Sequence, residues 1–243
     1  MIPLKIATYN IHKGFSLFNR RVVLPSVREQ LRELDADIVF LQEVQGEHQH
    51  HAQRHSTYPQ APQHEFLADE TWQHHAYGMN AQYAAGHHGN AILSRFPIVY
   101  SQNKNVSAHR FEQRGLLHCE MQWQGESVHC ICVHLGLFAN GRRAQIDALI
   151  ALVKAQVPAN AALIIAGDFN DWNNRLSQTL HDSIGVQDVF HMTHGKAARS
   201  FPAALPMLQL DRIYTRGFKA TLCEVHPRRR LSDHAALTVQ LER

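Results

Sequence analysis

The chain alternates between short apolar runs and longer amphipathic stretches. In the segment "NRRVVLPSVREQLRELDAD", apolar residues recur at helical spacing, at Val23, Val27, Leu31 and Leu34, which predicts a helix. The segment "GRRAQIDALIALVKAQV" has the same periodicity and predicts a second helix. Short apolar runs bounded by glycine, proline or polar residues predict strands instead.

Nine such runs predict strands. They are Ile2 to Thr8, "DIVFLQEV", "HHGNAILSRFPIV", "GLLHCEMQW", "SVHCICVHL", "AALIIAGDFND", "LQLDRIYTRG", "ATLCEVHP" and "AALTVQLE". Gly125 predicts a hairpin between the fourth and fifth runs, and Pro97 ends the third. Strands and helices interleave from end to end, with no linker-like break in composition. We therefore expect one α/β domain over residues 1–243, with mixed or antiparallel sheets and helices outside.

Composition narrows the classes of protein. A chain of 243 residues with 44% hydrophobic content is long enough for a sizeable core. The net charge of +3 permits a phosphate-bearing substrate but does not require one. The spacing of its four cysteines does not indicate a disulfide framework, its first residues lack the long apolar core of a signal peptide, and no apolar run of 18 residues occurs. We expect a cytoplasmic monomer without a transmembrane segment.

Histidine is abundant, with 19 residues, of which seven lie between His48 and His75. This segment is predicted as a polar surface loop. The alternative is a tract that binds a transition metal, but the segment lacks a fixed ligand spacing. A second zinc hypothesis rests on Cys130, Cys132 and His134, which share one face of a predicted strand. Cysteines in a buried strand more often fill the core.

Polar side chains with useful chemistry follow the ends of most predicted strands. They are Asn10, Glu43, His134, Asp168, Asn170, Asp211, Asp233 and His234. Each one alone has a structural explanation as a turn or surface residue. Together they comprise four carboxylates, two histidines and two asparagines, placed where a rigid sheet can assemble a site.

The residue types indicate the chemistry. Carboxylate and amide oxygens are hard donors that suit Mg²⁺ or Mn²⁺. A hard metal combined with two histidines suits hydrolysis of a phosphate ester. The chain contains no Gly-x-Ser-x-Gly motif and no phosphate-binding loop, which argues against a serine hydrolase and a P-loop nucleotidase.

Seven segments resemble motifs of the endonuclease/exonuclease/phosphatase superfamily. They are "ATYNIHKG", "DIVFLQEV", "GNAILSRFPI", "CVHLG", "IIAGDFND", "LDRIY" and "LSDHAAL". They occur in the family's order and span Ile6 to Leu237. The segments "IHKGFSLFNRR" and "AGDFNDW" are similar to the bacterial YbhP-type branch. The resemblance implies a four-layered, DNase I-like α/β sandwich, in which two packed mixed or antiparallel sheets are flanked by helices.

The resemblance also implies a metal site and a reaction. Glu43 would be the main ligand of Mg²⁺ or Mn²⁺, with Asn10 beside it and Asp233 nearby. Asp168 would align or activate the attacking water, and Asn170 would hold the phosphate or the nucleophile.

Three further positions complete the implied catalytic set. Asp211 would orient His234, His234 would contact the scissile phosphate, and His134 resembles the second histidine of some family members. The implied function is a metal-dependent phosphoesterase, in the first place a phosphodiesterase that hydrolyses its substrate by water attack.

The substrate is less defined than the reaction. Asn90, Trp172 and Arg230 are the predicted substrate contacts. Basic and aromatic side chains around the site suit a nuclease acting on DNA. The segment "FPAALPMLQL" (201–210) suits a phospholipid or sphingomyelin-type phosphodiesterase if it is exposed, or it packs in the core. The remaining alternative is a non-catalytic binding protein on the same fold.

Overall fold

The computed structural model describes residues 3–16, 21–48, 58–108 and 112–243. Within these ranges the strands are β1 (Leu4–Asn10), β2 (Ile38–His48), β3 (His74–Tyr83), β4 (Gly86–Ser94), β5 (Ile98–Asn105), β6 (Gly115–Trp123), β7 (Glu126–His134), β8 (Ala162–Asp168), β9 (Gln187–Asp188), β10 (Asp211–Arg216), β11 (Lys219–His226) and β12 (Ala236–Glu242). The helices are α1 (Leu24–Leu34), α2 (Gln63–Ala68), α3 (Ala139–Gln156), α4 (Leu176–Ile184) and α5 (Val189–His194), with a 3-10 turn at His12–Gly14.

The strands form two six-stranded sheets. The first has the order β11-β12-β1-β2-β4-β3 and the second β5-β6-β7-β8-β10-β9. Each sheet is mixed, because it contains one parallel pair, β1 with β2 in the first sheet and β7 with β8 in the second. The other pairings are antiparallel. The carboxyl ends of a parallel pair lie at the same edge of its sheet, so each sheet brings two strand ends together.

Three apolar cores separate four layers. The central core lies between the sheets and contains Phe40 from the first sheet and Ile164 from the second. The second core packs α1 and α2 against the outer face of the first sheet. The third packs α3 and α4 against the outer face of the second sheet. The predicted four-layered α/β sandwich is therefore confirmed.

The layers explain why the central strands are apolar at almost every position. Successive side chains of a strand point to opposite faces, and both faces of these strands are covered. In β7, Cys130 and Cys132 enter the central core, whereas Ile131 and Val133 face α3. The two cysteines are free and fully buried, so they fill the core as the sequence favoured.

The predicted elements are largely observed, with three corrections. Residues 49–57 of the His-rich segment lie outside the described ranges, but its later part is not a loop, since it contains α2 and the start of β3. The run "HHGNAILSRFPIV" forms two strands, β4 and β5, separated at Phe96 and Pro97. The stretch between β8 and β10, for which the sequence pattern predicted neither a helix nor a strand, contains α4, β9 and α5. Helix α4 is amphipathic, with Leu180 and Ile184 buried on one face.

No helix in the described part of the chain is both long and apolar enough to cross a lipid bilayer.

Candidate active site

Asp168, the last residue of β8, lies at the centre of a buried polar cluster. Its Oδ2 atom accepts a hydrogen bond from Asn10 Nδ2 at 3.2 Å. The same oxygen is 3.5 Å from His134 Nε2 and 3.7 Å from His234 Nε2. Its Oδ1 atom accepts from the backbone N–H of Asn170 at 3.0 Å. The cluster joins the carboxyl ends of β1, β7 and β8, and therefore joins the two sheets.

His234 is oriented by a second carboxylate. Its Nδ1 lies 2.8 Å from Asp211 Oδ2, and both side chains are buried. Asp211 stands directly opposite Asp168, because β10 and β8 pair in antiparallel register. The register of the second sheet therefore places Asp211 beside Asp168, and His234 reaches both carboxylates from the segment that precedes β12 in the first sheet.

A close approach of β7 and β8 places these groups. Gly167 has φ of 145°, and a Cβ atom there would lie 1.9 Å from the carbonyl oxygen of Val133. Only glycine allows the two strands to approach so closely just before Asp168. The following residues turn sharply, since Asn170 has φ of 50°. Asn170 Nδ2 donates to the carbonyl oxygen of Leu135 at 2.8 Å, which ties this turn to the end of β7.

The charges of the three central groups differ. Burial raises the pKa of Asp168 to about 6, although His234 opposes this rise. Burial alone would lower the pKa of His234, but Asp211, and after it Asp168, raise it to about 10. Burial lowers the pKa of His134 well below its ordinary value, and Arg114 and His234 lower it further. At neutral pH the cluster therefore contains an ionised Asp168, a cationic His234 and a neutral His134.

The three predicted metal ligands lie beside the cluster. Glu43 Oε2 is 3.9 Å from Lys13 Nζ, and Asp233 Oδ1 is 3.4 Å from His12 Nδ1. Asn10 Oδ1 accepts from the backbone N–H of His12 at 3.1 Å. Burial would raise the pKa of Asp233, but its contact with His12 holds it below the ordinary value. Glu43 thus already faces the ammonium group of Lys13, and Asp233 faces the imidazole of His12, which becomes a cation when it is protonated.

This donor set fits a hard divalent cation. It offers carboxylate and amide oxygens, which are the ligands that Mg²⁺ and Mn²⁺ prefer. Within the described ranges, Asp168, Asp211 and His234 also lie close enough together to share an ion. That trio fits less well, because His234 Nδ1 already contacts Asp211 and a protonated imidazole offers no lone pair to a metal.

Strained backbone accompanies these residues. His12, Lys13 and Glu43 have φ of 46°, 57° and 56°, in the left-handed region that residues with a Cβ atom rarely adopt. Strain of this kind persists only where surrounding contacts impose it, and it concentrates at functional sites. Here Gln63 Nε2 donates to the carbonyl oxygen of Lys13 at 2.8 Å, which helps to hold the turn.

The predicted substrate contacts have different positions. Asn90 is buried, donates to the carbonyl oxygens of Gly115 and Cys132, and has an Oδ1 atom without a hydrogen-bond partner in the described structure. Trp172 is partly exposed, with the Arg142 guanidinium 5.2 Å from its ring centroid. Arg230 is exposed, and no hydrogen bond or ion pair joins it to the site within the ranges that the structure describes.

Sequence reasoning missed four residues that support the site. His12 and Lys13 contact the predicted metal ligands, and the adjacency of "HK" to Asn10 was a signal for them. Ser232 Oγ donates to the carbonyl oxygen of Asn10 at 2.7 Å and accepts from the N–H of His234 at 3.1 Å. Arg114, which lowers the pKa of His134, has no local sequence signal, because it reaches the site from the loop before β6.

Comparison with known proteins gives a consistent assignment. Residues 7–234 match the sequence profile of the Endonuclease/Exonuclease/phosphatase family. The chain is 43% identical over 242 residues to YbhP of Escherichia coli (strain K12). The alignment covers 98% of this chain and 95% of YbhP. YbhP of Shigella flexneri matches equally well.

Solved structures share the fold at low sequence identity. An endonuclease/exonuclease/phosphatase from Beutenbergia cavernae DSM 12333 has a TM-score of 0.82 and 19% sequence identity. The match covers 100% of this chain and 72% of the Beutenbergia chain. D. rerio TDP2 with a single-strand DNA product has a TM-score of 0.74 and 16% identity, covering 100% of both chains. A mannosyl-6-phosphatase from Bacteroides thetaiotaomicron VPI-5482 has a TM-score of 0.74 and 15% identity, covering 99% of this chain and 100% of its own.

The predicted resemblance, including that to the YbhP-type branch, is confirmed by these matches. The sandwich of two mixed six-stranded sheets is likewise the DNase I-like fold of the solved relatives. The chain therefore belongs to the endonuclease/exonuclease/phosphatase family.

Proposed function

We propose that the protein is a phosphoesterase that depends on Mg²⁺ or Mn²⁺ and attacks its substrate with water, in the first place as a phosphodiesterase. The observation that carries this proposal is the position of Asp168. Its buried carboxylate lies between Asn10, His134 and His234, at the junction of the two sheets. Three groups that hold a phosphate or move a proton thus surround one potential base.

Asp168 is suited to align and deprotonate the water. A general base works best when its pKa is close to the operating pH, and burial raises the pKa of Asp168 to about 6. The carboxylate is fixed by the N–H of Asn170 on one oxygen and by Asn10 on the other. It therefore needs little reorganisation to orient a nucleophile.

His234 supplies positive charge at the phosphate. Asp211 holds its ring in place and keeps the imidazole protonated, so Nε2–H can donate to a phosphoryl oxygen. The neutral His134 supplies a hydrogen bond without adding a second charge. The buried Oδ1 of Asn90 is an available acceptor for a hydroxyl group or water.

Asn10, Glu43 and Asp233 would hold the divalent metal. Bound there, the ion would polarise the phosphoryl oxygens and offset negative charge on the leaving oxygen. Lys13 and His12 neutralise the same carboxylates, so both side chains compete with the metal for Glu43 and Asp233.

The named relatives support the class of reaction. The solved TDP2 structure contains a single-strand DNA product, and the Bacteroides enzyme is named as a phosphatase of a mannosyl 6-phosphate. Both compounds contain a phosphate ester, although one belongs to a polymer and the other to a sugar. The shared fold thus accommodates phosphate-ester chemistry with very different leaving groups.

Hydrolysis of bis-p-nitrophenyl phosphate tests the proposal, with p-nitrophenyl phosphate as the monoester comparison. EDTA should abolish hydrolysis, and Mg²⁺ or Mn²⁺ should restore it. Asp168→Ala should lower kcat by about 10³-fold or more, because it removes the proposed base. Asp182→Ala is the matched control, since this carboxylate is exposed on α4 and should leave kcat unchanged. A fully active, metal-independent Asp168→Ala protein would refute the proposal.

A further inference from the structure

Large apolar side chains are exposed around the candidate site. Six of them, each between 40% and 65% exposed, form what we call the apolar rim: Leu137, Phe138, Trp172, Leu205, Met207 and Leu208. Exposed apolar side chains are ordinary when scattered singly, but a group beside a reactive centre indicates a binding surface.

One side of the rim is attached to the segment that contains Asp233 and His234. The N–H of Ala203 donates to the carbonyl oxygen of Asp233 at 2.7 Å, and the N–H of Ala235 donates to that of Ser200 at 2.8 Å. The Phe201 ring lies 5.0 Å from the His234 ring. The loop that exposes Leu205, Met207 and Leu208 is therefore anchored directly on the reactive residues.

The other side of the rim is attached to the ends of β7 and β8. The N–H of Leu135 donates to the carbonyl oxygen of Asp168 at 2.8 Å. Arg142 Nη1 donates to the carbonyl oxygen of Leu137 at 2.5 Å, and its guanidinium lies 5.2 Å from the Trp172 ring centroid. The two halves of the rim thus flank Asp168 and His234 on hydrogen-bonded loops.

Unpaired positive charge accompanies the rim. Arg143 lies in α3, six residues after Leu137. Arg199 precedes the second loop, and Arg229 and Arg230 precede Asp233. All four are exposed, and none has an ion-pair partner within the ranges that the structure describes. Apolar side chains flanked by free arginines are complementary to an anionic lipid surface, which presents phosphates above hydrocarbon.

The residue types favour a lipid surface over a nucleic acid. Single-stranded nucleic acids are bound by aromatic rings that stack on bases. Four of the six rim residues are aliphatic. The other two are Phe138 and Trp172, and the guanidinium of Arg142 already lies over the Trp172 ring. Leucine and methionine offer no stacking platform, but they gain free energy on entering hydrocarbon.

We propose that the apolar rim docks the site on an anionic phospholipid bilayer, so that the phosphate ester hydrolysed belongs to a lipid head group. This inference rests on the proposed function for the reaction, whereas the docking itself does not. The rim residues enter the acyl boundary, the four arginines contact lipid phosphates, and the buried Asp168 cluster faces the head-group layer.

Vesicle binding by the full-length protein tests the docking step. The vesicles are phosphatidylcholine alone or phosphatidylcholine with phosphatidylglycerol, and binding is measured by co-sedimentation. The rim variant combines Leu137→Gln, Leu205→Gln and Met207→Gln. The matched control combines Val99→Gln, Met192→Gln and Leu222→Gln, three side chains that are 46–60% exposed away from the site edge. We expect the rim variant to bind phosphatidylglycerol vesicles at least about 10-fold more weakly than the wild type and the control.

Enzyme assays separate docking from catalysis. The rim variant should hydrolyse bis-p-nitrophenyl phosphate within twofold of the wild type, yet release head group from vesicles at least about 10-fold more slowly. If the wild type cleaves no ester but binds vesicles through the rim, the proposed function fails and the docking stands.

Three results would overturn the docking proposal: no vesicle binding by the wild type, equal vesicle binding by the rim variant, or a wild-type dimer that the rim variant dissolves in light scattering. Loss of binding to a single-stranded oligonucleotide by the rim variant, without vesicle binding by the wild type, would assign the rim to nucleic acid instead.

Discussion

Two pairs of buried histidines differ in charge. His134 and His234 lie on either side of Asp168 at the candidate site. His118 and His129 lie on β6 and β7, where His118 Nε2 contacts His129 Nδ1 at 3.0 Å and His118 Nδ1 contacts Gln156 Oε1 at 3.1 Å. Burial lowers the pKa of both members of the second pair, so both are neutral at neutral pH. In the first pair His234 is cationic.

The difference comes from the partners and not from burial. All four histidines are buried, and for each of them burial is the largest single influence on the pKa and favours the neutral ring. Only His234 contacts a carboxylate at 2.8 Å, with a second carboxylate 3.7 Å away, and only its pKa is raised. A buried histidine is therefore neutral by default, and a carboxylate within hydrogen-bond distance of the ring makes it a charged one.

The largest expected effect follows from removing that carboxylate. Asp211→Asn should lower kcat on a phosphodiester by about 10²-fold, because His234 loses both its orientation and part of its charge. In the wild type, the raised pKa of His234 keeps the ring protonated up to high pH. In the variant this pKa is lower, so the pH at which activity is lost should fall by one unit or more, which is on the order of the pKa shift that one nearby carboxylate causes. The pH profile of kcat/KM measures this shift. An unchanged alkaline limb would show that Asp211 does not set the charge of His234.

A smaller effect is expected on the stability of the fold, at His64, where burial outweighs the exposed Glu65 carboxylate 4.0 Å away. His64 stacks on Tyr77 with ring centroids 4.7 Å apart, and burial lowers its pKa to about 4. The unfolded chain binds a proton near pH 6.5 but the folded chain does not, so stability is lost as pH falls from about 6.5 toward 4. Between pH 7 and pH 5 this amounts to about 1–2 kcal/mol.

Urea unfolding of the wild type and of His64→Gln at both pH values isolates that effect. The difference in unfolding free energy between pH 7 and pH 5 should be smaller in the variant by about 1–2 kcal/mol, whatever the variant loses in packing at both pH values. Equal pH dependence in the two proteins would show that His64 does not titrate as a buried neutral group.

The smallest effect should come from the structural pair itself. His118→Gln retains a polar side chain next to Gln156 and lies far from Asp168 along β6. Its kcat on bis-p-nitrophenyl phosphate should stay within about twofold of the wild type, in the range expected for a change outside a site. A drop comparable with that of Asp211→Asn would erase the distinction between the two pairs.

The sequence predicted the fold and the location of the site because both depend on local patterns. Apolar runs flanked by polar residues placed Asn10, Asp168 and His234 next to strands, and the packing of the two sheets brings all three together. The contact between Asp211 and His234 was also predicted, and it is observed at 2.8 Å. The catalytic and metal-binding roles of these residues stay predictions until the experiments above are done.

The remaining features depend on contacts between distant parts of the chain. The charge of His234 depends on Asp168 and Asp211, and the carboxylate beside His134 is Asp168, which sequence spacing did not identify. Helix α4 was missed because its buried face has few apolar residues. The sequence pattern also left open whether the segment 201–210 is exposed or packs in the core. Periodicity predicts which face of a helix or strand is apolar, but it does not predict which other element that face packs against.

The pairing of β1 with β12 joins two distant parts of the chain. Leu4 lies opposite Leu241, so β1 is synthesised long before β12, the strand with which it pairs. Asp233 and His234 directly precede that late strand. A chain that ends before Asp233 would therefore lack two residues of the candidate site as well as the strand that pairs with β1.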